Sequence, residues 1–123
     1  MRYLTDRKRA VGLGASKTGV EHHWFMLVSS VGLLILIPLF VFTFGCALGG
    51  THAEVVAYYS RPFPAIVAGL TLVVGFVHMM RGWQMMVEDY SKGLVRVFLV
   101  LGMNFLCYAL MAAGLFALVK LAL

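Results

Sequence analysis

Three long runs of apolar residues, separated by short polar interruptions, dominate the chain. They cover about 24–48, 64–87 and 94–122. Each reaches or exceeds the roughly 20 apolar residues that a helix needs to cross a bilayer core. The pattern therefore predicts an all-α integral membrane fold with three transmembrane helices. Residues 1–22 form a polar, basic arm ahead of a membrane domain at 23–123. Gly12, Gly14 and Gly19 are expected to interrupt any helix in that arm beyond a short turn. Pro38 falls inside the first span, where membrane helices tolerate proline if neighbours satisfy the freed carbonyl. A short loop is expected from Gly49 to Pro62, its Tyr58 and Tyr59 suiting an interfacial aromatic belt. A tight polar turn, Glu88-Asp89-Tyr90-Ser91-Lys92-Gly93, separates the second and third spans.

Composition supports a lipid environment. Hydrophobic residues make up 62% of the 123 positions and charged residues 12%, about half the charged fraction of a soluble domain. The net charge of +5 does not imply nucleic acid, because no basic face interleaved with aromatic residues is visible. The charges instead report topology. Arg2, Arg7, Lys8, Arg9, Lys17, Arg81, Lys92 and Arg96 fall on the side of the arm, against Arg61 and Lys120 on the other. That asymmetry predicts a cytoplasmic N-terminus and an outer C-terminus. The long basic stretch and long apolar segment also argue against a cleaved signal peptide. Cys46 and Cys107 both lie in apolar runs and are expected to be small buried packing residues. Two cysteines cannot hold an iron–sulfur cluster, which takes about four thiolates.

Ionisable groups inside a spanning helix are functional candidates, because their burial in lipid is costly. His78 is the histidine placed deep within a span, while His22 and His23 sit at the mouth of the first helix and His52 in the outer loop. At helical spacing, Thr71, Gly75, Gly82 and Met85 share its face. The glycines clear space one turn before and one turn after the imidazole. Such clearance suits a flat macrocycle with iron on one ring nitrogen and a hydrogen-bond partner on the other. It equally suits a histidine bonded to a neighbouring helix, with glycines that allow close packing. A bis-histidine haem needs its second ligand from a partner. Asp89 lies eleven positions beyond His78, roughly 16 Å along the axis and nearly on the same face. Tyr90 follows it at the membrane edge. A phenol there suits a carbonyl arriving from lipid, and a carboxylate beside it suits proton transfer. The alternative is an interfacial tyrosine beside a helix-ending turn.

The run His78-x3-Gly82-x-Gln84-x4-Asp89-Tyr90 resembles the signature of the hydrophobic membrane anchor (D) subunit of succinate dehydrogenase, respiratory complex II. The arm Gly12-Leu13-Gly14-Ala15-Ser16-Lys17-x-Gly19, followed by His22-His23-Trp24, is similar to the alphaproteobacterial form. The resemblance implies a subunit of a tricarboxylic acid cycle and electron-transport enzyme in the bacterial inner membrane. It implies His78 as one axial ligand of a haem b, with the second ligand from a larger cytochrome b anchor subunit in a shared helix bundle. It implies Tyr90, with Asp89 beside it, at the ubiquinone site. FAD and iron–sulfur clusters would then reside on a flavoprotein subunit and an iron–sulfur subunit, since this chain carries no motif for either.

The family usually places an arginine several residues into the first helix, near the haem propionates. Here the stretch reads Phe25-Met26-Leu27-Val28. His22, His23 and Arg81 are the candidate propionate contacts in its place, although Arg81 also suits snorkelling to the headgroups. Two other classes of function fit the composition. One is a haem-free structural anchor in which His78 only packs. The other is a small transporter subunit, for which only Pro38 and Arg81 supply a hint.

Overall fold

The computed structural model describes residues 5–11 and 18–122. Among these the structure is helical: α1 (Asp6–Val11), α2 (Thr18–Ala47), α3 (His52–Tyr59), α4 (Pro62–Tyr90) and α5 (Gly93–Ala122). Three of them, over Gly19–Ala47, Pro62–Tyr90 and Gly93–Ala122, are long and apolar enough to span a membrane. At 1.5 Å per residue each measures about 45 Å, more than a hydrocarbon core of about 30 Å. All three expected spans are present. Most of the expected arm motif, Gly12 to Lys17, lies outside the described residues.

The boundaries differ from expectation in physically instructive ways. Helix α2 starts at Thr18, so Gly19 lies within it and His22 and His23 belong to its first two turns. A single glycine costs a helix only about 1 kcal/mol, and the long apolar run beyond it outweighs that. The helix also continues through Pro38. It ends at Ala47, and Gly49 just beyond it, with a φ of 81°, supplies the left-handed conformation common past a helix C-terminus.

The segment expected as loop contains α3. Thr51 caps it by accepting from the Glu54 amide at 3.4 Å, and the Glu54 carboxylate accepts from the Thr51 amide at 2.7 Å. This reciprocal capping box supplies partners for otherwise orphaned amides. These bonds from Thr51 hold the Glu54 carboxyl below its ordinary range. Tyr59 is buried, packed edge-on against Tyr58 with ring centroids 5.5 Å apart. It is therefore packed within the chain. Burial, and secondarily the neighbouring Tyr58, push its phenol pKa up.

Helix α4 opens with Pro62 in its first turn, where the missing N–H is harmless. It runs to Tyr90, so Glu88, Asp89 and Tyr90 form its last turn and not the interhelical turn expected. Only Ser91 and Lys92 separate α4 from α5. Gly93 then turns the chain at a φ of 62°. A connection this short makes α4 and α5 antiparallel neighbours.

Helix α4 is the central element. It packs against α2 on one side and α5 on the other, while α2 and α5 do not approach each other. Burial follows the same order. Pro64, Val67, Ala68, Met80 and Val87 are buried on α4, Cys107 on α5, and Ser29 and Thr43 on α2. Cys107 fits the expected packing role, whereas Cys46 is exposed. Large apolar side chains such as Phe42, Phe98, Phe105 and Phe116 face outward. An outer surface of this kind suits lipid or other membrane subunits.

Candidate functional site

The seam between α2 and α4 carries several of the polar groups of the membrane domain. His78, half-buried on α4, faces Ser29 of α2, with 2.7 Å between Nδ1 and the serine Oγ. Ser29 is buried and, with its neighbour Ser30, interrupts an apolar stretch. Its hydroxyl also lies 2.7 Å from the Phe25 carbonyl and 3.1 Å from that of Met26. A serine in an apolar helix commonly donates back to the preceding turn in this way. Further along the seam, the Thr71 hydroxyl donates to its own helix at Val67, 2.7 Å away, and lies 3.4 Å from the Leu36 carbonyl of α2.

The glycines flanking His78 are not equivalent. A Cβ placed on Gly82 would meet the Met26 methyl at 3.7 Å, so this glycine faces α2. A Cβ on Gly75 would meet nothing within 4 Å. Packing within this chain therefore does not require glycine at position 75.

At the end of the seam nearest the arm lies a cavity of about 780 Å³. Among its walls are His22 and Phe25 from α2, and Arg81, Gln84, Glu88 and Asp89 from α4. The Arg81 guanidinium sits 5.7 Å from the centre of the Phe25 ring, a cation–π contact. Gln84 donates to Glu88 at 2.8 Å, one turn further along α4. His22 Nε2 is buried with no hydrogen-bond partner among the described residues. An orphaned buried nitrogen is costly and uncommon, so His22 carries an unmet hydrogen-bonding demand beside this cavity.

The structure thus brings His22, Arg81 and Asp89 around one cavity. His23 is exposed on α2, and Tyr90 is 87% exposed at the last position of α4; neither lines the cavity. His78 lies more deeply, in its pairing with Ser29. No cluster of three or more His, Cys, Asp or Glu side chains suited to a metal occurs among the described residues. Sequence reasoning missed Ser29 and Phe25. The signal for Ser29 was the polar pair Ser29-Ser30 interrupting an apolar run. Phe25 offered none, because its role depends on where Arg81 packs.

The family model of the succinate dehydrogenase/fumarate reductase transmembrane subunit matches residues 1–119. The succinate dehydrogenase hydrophobic membrane anchor subunit of Paracoccus denitrificans is 40% identical over 123 residues, covering 100% of this chain and 95% of that protein. No solved structure matches the chain. Three helices of spanning length, two of them meeting at a polar α2–α4 seam, are thus joined to a match along nearly the whole sequence, and this protein belongs to the family of succinate dehydrogenase/fumarate reductase transmembrane subunits.

Proposed function

We propose that the chain is the hydrophobic membrane anchor subunit of succinate dehydrogenase, that it supplies one axial ligand of a haem b through His78, and that it forms part of a ubiquinone-reduction site at Asp89 and Tyr90. The single observation that carries this reading is the arrangement along α4. One helix holds an imidazole in mid-span, a guanidinium and a carboxylate at one cavity, and a phenol at the helix end. The proposed topology places the arm and that cavity on the cytoplasmic face of a bacterial inner membrane, as the distribution of Lys and Arg favours.

The residues suit a haem. With Nδ1 engaged by Ser29, the other ring nitrogen of His78 is left for iron. The open space at Gly75 is room that a Cβ would take. His22 Nε2 lacks a partner, and Arg81 lines the same cavity. Both are suitable donors to propionate carboxylates, in the role that a first-helix arginine fills elsewhere in the family. When bound, the haem supplies a one-electron store whose potential the protein sets through ligand and burial. The second ligand comes from the larger cytochrome b anchor subunit. Flavin and iron–sulfur clusters belong to the two soluble partners.

For quinone, the exposed phenol of Tyr90 donates a hydrogen bond to a carbonyl oxygen arriving from the lipid, and this bond strengthens as negative charge develops there. Asp89 lies beside it at the cavity wall, where a carboxylate relays protons from water to the reduced ring. The anchor thereby presents quinone to electrons delivered by the iron–sulfur subunit.

The Ser29–His78 bond also favours a second reading, a haem-free anchor in which the pair only ties α4 to α2. The reduced-minus-oxidised optical spectrum of the complex, purified in mild detergent, separates the two. The haem reading predicts a b-type band that His78→Ala abolishes or strongly weakens. A complex with its full set of subunits and no such band would favour the second, and an unchanged band in the variant would reject His78 as the ligand.

A further inference from the structure

We propose that Ser29 is a positioning residue for His78: it fixes the ring as the tautomer with hydrogen on Nδ1, leaving the Nε2 lone pair to bind iron, and it tunes the haem potential. This inference rests on the reading of His78 as a haem ligand and adds to it which nitrogen binds and what selects it.

The assignment comes from counting protons. The Ser29 hydroxyl has one hydrogen and two contacts at 2.7 Å, the Phe25 carbonyl oxygen and His78 Nδ1. A carbonyl oxygen only accepts, so the contact with Phe25 is attractive only if the hydroxyl hydrogen lies there. The contact with Nδ1 is then attractive only if the ring donates. The opposite choice, serine donating to Nδ1, leaves two oxygens facing each other at 2.7 Å with no hydrogen between them. For a neutral imidazole, hydrogen on Nδ1 puts the lone pair on Nε2. The Met26 carbonyl, at 3.1 Å from the same hydroxyl, reinforces that direction.

A second consequence concerns the strength of the ligand. A ring that donates a hydrogen bond through its distal nitrogen is a more basic ligand, and a partner of this kind also fixes the ring plane. A more basic ligand favours ferric over ferrous iron. Ser29 therefore holds the haem potential below the value it would have without that hydroxyl. Its place on α2, 49 positions from His78, couples the ligand's orientation to the α2–α4 seam.

The test compares Ser29→Ala, Ser29→Val and Ser29→Thr in the assembled, purified complex. Valine and threonine have nearly the same shape and differ in the hydroxyl. Redox potentiometry and low-temperature electron paramagnetic resonance of the ferric haem are the readouts. Ser29→Ala and Ser29→Val should raise the midpoint potential, with each tenfold loss of ferric preference reading as about 59 mV for one electron. They should also shift the low-spin resonance as the ring plane is released. Ser29→Thr should keep wild-type values. Loss of haem from Ala and Val, with haem retained in Thr, supports the same conclusion. Wild-type potential and resonance in Ser29→Ala, or Thr behaving like Val, would overturn it. His78→Ala serves as the separate control. An unaltered haem spectrum there defeats the ligand reading itself, whereas loss of the band there beside an unaffected Ser29→Ala defeats only the role of Ser29.

Discussion

The two sides of α4 are built differently. On the α2 side the seam is polar and loosely filled, with Ser29 bonded to His78, Thr71 reaching toward Leu36, Arg81 over Phe25, and a cavity at one end. On the α5 side it is apolar and close. Cys107 is fully buried, a Cβ on Gly69 would touch Leu115 and Leu118 at 4.0 Å, and one on Gly114 would collide with Leu72. A lone polar bond crosses that side among the described residues, from Trp83 Nε1 to the Leu99 carbonyl at 3.2 Å. The contrast teaches a division of labour. Between membrane helices, small residues and van der Waals contact supply cohesion, and the α5 side does this. Polar groups in a span are costly without another purpose, and the α2 side concentrates them.

Substitutions on the two sides should therefore fail in different ways. The largest effect is expected from His78→Ala on the α2 side. The haem band should vanish or nearly so, while all subunits still copurify; an optical spectrum and a subunit gel on one sample check both. Gly114→Val on the α5 side should do the reverse. Overpacking against Leu72 should cost roughly 1–3 kcal/mol, seen as a lower thermal midpoint in detergent with the haem spectrum unchanged. A spectral change there would break the proposed division.

Tyr90 belongs to neither seam, so Tyr90→Phe should leave both stability and spectrum alone. Losing its hydroxyl should lower the quinone reduction rate about tenfold, the size of one hydrogen bond of about 1.4 kcal/mol. Succinate oxidation by a soluble artificial acceptor should persist, and equal loss of both rates would indicate failed assembly. Trp83→Phe removes the bond to Leu99 and should lower stability by about 0.6 kcal/mol, the average worth of an interhelical hydrogen bond in a membrane. A loss as large as that of Gly114→Val would mean that polar contacts matter as much on the α5 side as packing does.

The smallest effect concerns α3, outside both seams. Its Glu54 carboxyl is held below the ordinary range by Thr51. A depressed carboxyl contributes stability above its unfolded pKa and loses it as the pH falls through the folded one. Acidification below the ordinary carboxylate range should thus fray α3 before the spanning helices change. Hydrogen exchange of the α3 amides measures this, and Glu54→Ala should remove the pH dependence.

Much of the helical plan was legible in one dimension, but the details were not. The capping box of α3 was written as Thr51-His52-Ala53-Glu54 and passed for loop, because eight residues carry too little apolar periodicity to stand out. The early start of α2 was hidden by Gly19, whose local cost is small beside the run that follows. Arg81 and Asp89 could be nominated from their placement on α4, and His22 from its place at the mouth of the first helix. Their meeting at one cavity needed the packing of α2 against α4.

Sequence by itself determined that three apolar segments must become helices of spanning length, since lipid leaves the backbone no other partners for its amides and carbonyls. It also determined that one imidazole stands mid-span on the second of them. Tertiary structure alone decided which neighbour meets that imidazole. A serine and a histidine 49 positions apart come within hydrogen-bond reach only through the rotation and axial offset of α2 against α4, and that geometry is fixed by the sum of side-chain contacts along the seam and by no local motif.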